Sequence, residues 1–122
     1  MPKHDKISDE NMRSLFIQAR GEMAEGKGTE AVHTLSDAFV SLLKMKPEIT
    51  NAEAKPGAEY VAKEWTEVFS AELQWPRLGA NLIPESIEAG DPKIEFEADQ
   101  FSISEAMMYY EFAIDTAIQY EV

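Results

Sequence analysis

The chain reads as runs of helical periodicity separated by breakers. From about Ser8 to Glu25, the residues Met12, Leu15, Phe16, Ala19 and Met23 recur at spacings of three and four. That rhythm puts them on one stripe of a helix. Ser8 is the predicted N-cap, and Asp9 and Glu10 suit the positive end of the helix dipole. The Gly-Lys-Gly of 26–28 breaks this helix, and Thr29 is placed to cap the next. The second helix carries Ala31, Leu35, Ala38, Phe39 and Leu42 on one side and stops at Pro47. Residues 47–57 lack periodicity and read as a loop. A third helix is predicted from about Ala58 to Gln74 on Val61, Trp65, Val68, Phe69 and Leu73, ended by Pro76. A last helix begins at Ser104, with Glu105 in its first turn. Its apolar side is wide and includes Met107, Tyr109, Tyr110, Ala113, Ile114, Ala117 and Tyr120.

Between the third and last helices the rhythm changes. Ile94, Phe96 and Ala98 alternate with polar residues, and Phe101 and Ile103 follow. Period two predicts a short strand, or a hairpin turning near Asp99 and Gln100. The expected architecture is mainly α. It has four principal helices in a bundle, with a short extended or β-hairpin segment around residues 92–103. All 122 residues are expected to form a single helical domain, with residues 1–7 a flexible tail. In the second helix, the spacing of Ala31, Leu35 and Ala38 is similar to that of the second helix of a tetratricopeptide repeat. No second copy follows, and such repeats need several to bury a continuous core. The first two helices are therefore read as an ordinary helical hairpin.

Composition adds limits. Hydrophobic residues make up 44% and charged residues 28%, a globular balance. No apolar run is long enough to cross a bilayer, so no membrane contact is expected. The charged first eleven residues lack the apolar stretch of a secretory signal. With no cysteine, disulfides, thiolate zinc sites and cysteine nucleophiles are excluded, and a cytoplasmic location is expected.

Charge is unevenly spread. Of the net charge of −12, residues 84–122 hold −9, because Lys93 stands against ten carboxylates. Such a field opposes direct contact with a phosphate backbone and favours a basic protein partner.

One stretch resembles catalytic chemistry. Glu30, His33 and Asp37 lie three and four apart on the second helix. A carboxylate di-iron centre needs two Glu-x-x-His segments projecting into a bundle core. At about 100° per residue these three side chains fall opposite the apolar stripe, so a solvated face is expected and no metal. There is no glycine-rich phosphate loop, no Gly-x-Ser-x-Gly elbow and no His-Glu-x-x-His. No catalytic residue and no cofactor can be named.

Two features carry functional expectations. On the third helix Glu72 falls within an apolar arc that includes Trp65 and Trp75. A buried carboxylate needs a partner, and Arg20 of the first helix is the expected one, ahead of Arg13. The alternative is that Trp65, Glu72, Trp75 and Arg20 line a pocket of a small-ligand-binding protein or enzyme. On the last helix Met108 and Phe112 sit among Glu105, Glu111 and Asp115, an acid-rimmed apolar spot suited to a basic amphipathic partner. The leading expectation is a non-enzymatic protein-interaction module presenting this acidic C-terminal surface. An acidic nucleic-acid mimic is a further reading, and a homo-oligomer is left open.

Overall fold

The computed structural model describes residues 2–49 and 80–122. The described chain is mainly helical. Three long helices, α1 (Glu10–Ala24), α2 (Gly28–Met45) and α4 (Ile103–Gln119), are accompanied by a five-residue helix, α3 (Pro84–Glu88). The helix expected over 58–74 lies outside the described residues, as does most of the loop expected over 47–57. The chain divides into two compact units, Met1–Leu42 with Gln100–Val122, and Leu43–Asp99.

In the first unit α1 starts one residue later than expected. Asp9, not Ser8, is the N-cap, and its carboxylate accepts the Met12 N–H at 2.8 Å. The helix ends in a Schellman motif. Gly26 takes φ +79°, its N–H reaches the Met23 carbonyl, and the Lys27 N–H reaches the Glu22 carbonyl. This reversal sends α2 back antiparallel to α1. Thr34 joins the two, donating to the Glu22 carboxylate at 2.6 Å and accepting from Gln18 at 3.4 Å.

Helix α2 begins at Gly28, so Thr29 lies inside it and does not cap it. The Thr29 hydroxyl instead accepts the Phe101 N–H at 3.0 Å. Gly28 is buried, and a Cβ there would lie 2.5 Å from the Phe101 carbonyl oxygen and 2.8 Å from the Ser102 carbonyl carbon. Only glycine lets the backbones meet so closely. Eleven residues further along each helix, Phe39 and Phe112 meet at 6.2 Å between ring centroids. α2 and α4 therefore run parallel and in step.

The shared core holds Phe16 and Ala19 from α1, Leu35, Ala38 and Phe39 from α2, and Tyr109, Ala113 and Ile114 from α4, none above 1% exposed. Leu35, Leu42, Ala113 and Ile114 are buried as their spacing predicts; Val61 and Trp65 lie outside the described residues.

The segment expected to be a tail is placed against this unit. Lys3–Lys6 form a 3₁₀ turn, and Ile7 behind it is fully buried. The Arg13 guanidinium donates to the Ile7 carbonyl at 3.2 Å. The N–H groups of Ser8 and Asp9 both donate to the Val122 carbonyl oxygen, at 2.7 and 3.0 Å. Burial of Ile7 supplies what a polar tail would lack.

The second unit contains a two-stranded antiparallel pair, β1 (Ala80–Leu82) and β2 (Ile94–Phe96), with Asn81 opposite Glu95. The extended segment is thus where alternation predicts it, but its partner lies upstream and no hairpin turns at Asp99. The connection is α3 followed by Gly90 at φ +76°. The buried Ser86 hydroxyl donates to the Ile83 carbonyl at 2.6 Å and accepts the Lys93 N–H at 2.8 Å, closing the loop from inside.

Candidate functional site

Helix α4 begins at Ile103, one residue earlier than expected, because Ser102 is its N-cap. The Ser102 hydroxyl accepts the Glu105 N–H at 3.1 Å, and the Glu105 carboxylate accepts the Ser102 N–H at 2.9 Å. This capping box satisfies two donors that a helix start would leave open. Glu105 is consequently only 9% exposed. Its carboxylate serves the helix end, so of the five residues expected on a partner surface it is the one turned inward.

Beyond the cap, Glu111 and Asp115 stand one turn apart on the solvent side of α4. The Lys3 ammonium sits between them, at 2.6 Å from Glu111 and 2.9 Å from Asp115. Two like charges at this spacing repel, and one cation between them reverses the sign of the local interaction. The hydrogen bond to Glu111, then that to Asp115, pushes the Lys3 pKa well above the ordinary lysine range. The sign follows from the raised value. The contribution is fully present below the ordinary lysine pKa and is lost only as pH rises through the raised one. All three side chains are roughly half exposed, so water and salt screen the cluster.

Met108 and Phe112 are half-buried. The Phe112 ring leans on Phe39, so α2 provides part of its cover. Met107, expected on the inner side, is 56% exposed. It lies at the edge of the apolar arc, where a small rotation of the helix decides between core and solvent.

Next to the Lys3 cluster is a depression of about 270 Å³ lined by Lys3, Arg20, Met23, Met107, Tyr110 and Glu111. Tyr110 packs its ring edge-on against Phe16 at 5.7 Å and is 7% exposed. Burial raises its pKa, and the facing Arg20 guanidinium opposes that rise. Of the expected pocket residues only Arg20 is described here, where it lines this depression; Trp65, Glu72 and Trp75 lie outside the described residues. Arg13 turns to the Ile7 carbonyl instead.

The stripe of Glu30, His33 and Asp37 is placed on the outer side of α2. His33 and Asp37 are exposed, and the His33 ring meets Phe101 edge-on at 6.5 Å. Among the described residues no group of three His, Cys, Asp or Glu side chains could hold a metal ion. Nor is any described helix long and apolar enough to cross a membrane.

Sequence reasoning missed Lys3 as the partner of the acidic pair, and Met23 and Tyr110 as lining of the depression. Lys3 sits in a stretch without periodicity, 108 positions before Glu111. The only available signal was its positive charge in a chain whose acids crowd the other end. Comparison of the chain with protein-family models, with curated proteins and with solved structures found no match.

Proposed function

We propose that the protein is a non-enzymatic interaction module whose acidic C-terminal third receives a basic partner. The supporting observation is the ammonium held between Glu111 and Asp115 at 2.6 and 2.9 Å. The outer face of α4 accepts a lysine of this chain, and the same geometry suits a lysine of another. The sequence that contains that seat, residues 84–122, is strongly acidic. Nine of the ten carboxylates of residues 84–122 are exposed, Glu105 being the exception. Met107, Met108 and Phe112 offer apolar contact beside them. A carboxylate-rich field speeds encounter with a cationic partner, and apolar anchors slow its release. Direct nucleic-acid contact does not go with this field. A cytoplasmic location, as expected from the lack of cysteine, is part of the same reading.

The reading assigns different kinetic roles to neighbouring residues. With an amphipathic lysine–leucine peptide as the probe, Asp115→Lys mainly slows association at low salt. Phe112→Ala mainly speeds dissociation at any salt. Surface plasmon resonance at two ionic strengths separates the two. Rates indifferent to salt and to both substitutions sink the reading.

A further inference from the structure

We infer that the depression between α1 and α4 is a binding site for a small organic anion with an apolar body, its head held by Arg20 and the Tyr110 hydroxyl. In a chain of net charge −12, this depression is lined by two cations, Lys3 and Arg20, and one carboxylate, Glu111. The Glu111 charge is already met by Lys3 at 2.6 Å. Among the described residues Arg20 has no carboxylate partner.

The tyrosine supplies the second, independent sign. Its hydroxyl is buried and makes no hydrogen bond of good geometry among the described residues. Arg20 faces it, but a guanidinium carries donors only and cannot accept the phenolic proton. The phenolic oxygen can take one guanidinium N–H, but the phenolic proton and the other guanidinium donors are left without an acceptor among the described residues. A buried donor left in that state costs stability, and an anionic oxygen satisfies both groups at once.

The remaining lining fixes the rest of the ligand. Met23 and Met107 are polarizable and conformationally adaptable, and thioethers favour the edges of aromatic rings. A volume of about 270 Å³ lies just below the usual range for drug-sized ligands. A single ring or short aliphatic chain fits, and the head is a carboxylate or a phosphate monoester. This site shares Lys3 and Glu111 with the ammonium seat, but its anion is held by Arg20 and Tyr110, so either can fail without the other.

The test is a two-dimensional NMR titration of the full chain with benzoate, phenyl phosphate and neutral benzamide. The expected result is saturable shifts at Arg20, Met23, Met107 and Tyr110 with at least one of the two anions and none with benzamide. Which anion binds identifies the head group. Arg20→Gln and Tyr110→Phe each weaken the anion roughly tenfold or more, the scale of one hydrogen bond to a charged group. Arg20 is exposed and Tyr110→Phe keeps the ring against Phe16, so both variants retain the fold. Equal shifts with benzamide, no shifts with either anion, or affinities unchanged in both variants overturn the inference.

Discussion

The inner face of α4 is built from Ala106, Tyr109, Ala113, Ile114 and Ala117, all without solvent exposure, while Glu111, Asp115 and Met107 stand in water on the other side. The two faces alternate within single steps of sequence, and their energetics differ in kind. Inner contacts are apolar, closely packed and indifferent to salt. Outer contacts are ionic, half-exposed and screened. The inner face therefore holds the fold together, and the outer one contributes little to its stability.

Substitution of adjacent residues should expose this contrast most strongly. Ile114→Ala removes a fully buried side chain and should cost about 2–5 kcal/mol in chemical denaturation. Asp115→Ala, one position on, should cost less than about 1 kcal/mol, and that little should vanish in high salt. Similar losses for the two would erase the distinction between the faces.

Gly28→Ala comes next in size. Its Cβ meets backbone atoms of Phe101 and Ser102, which cannot rotate away as a side chain would. A loss of about 1–3 kcal/mol is expected, as for other overpacked sites. An unchanged denaturation midpoint would show that the starts of α2 and α4 are not pressed together. Ser102→Ala should cost about 1 kcal/mol through loss of the capping box.

The smallest effect concerns Glu121, which takes φ +59° in the turn that brings Val122 back to α1. A side chain in the left-handed region is strained, so Glu121→Gly should stabilise by up to about 1 kcal/mol. A destabilised Glu121→Gly variant would mean that the Glu121 side chain contributes more than its backbone costs.

How much of this was legible follows the same division. The inner faces of α1, α2 and α4 announce themselves, because burial forces a period near 3.6 on residues such as Phe16, Leu35 and Ile114. Helix starts shifted by a residue, since neighbouring polar side chains such as Ser8 and Asp9 cap a helix about equally well. Only the geometry of the chain entering the helix chooses between them. β1 was missed because three residues, Ala-Asn-Leu, are too few to display alternation. Gly28 read as a breaker, whereas its role is a close approach to residues more than 70 positions away. The outer site was half legible. The acidic residues and their apolar neighbours stood out, but the lysine that joins them came from a segment with no pattern.

Under the proposed function Glu111 and Asp115 form a seat for a lysine ammonium, filled internally by Lys3 and offered to a partner. If so, Lys3 competes with any basic ligand. The decisive measurement is the affinity of the lysine–leucine peptide for the unsubstituted chain, for Lys3→Met and for Lys6→Met at low salt. Both substitutions remove one positive charge from the same turn, but only Lys3 contacts the acidic pair. Tighter binding is expected for Lys3→Met, and an affinity close to that of the unsubstituted chain for Lys6→Met. Equal affinities in the two variants would contradict the proposal.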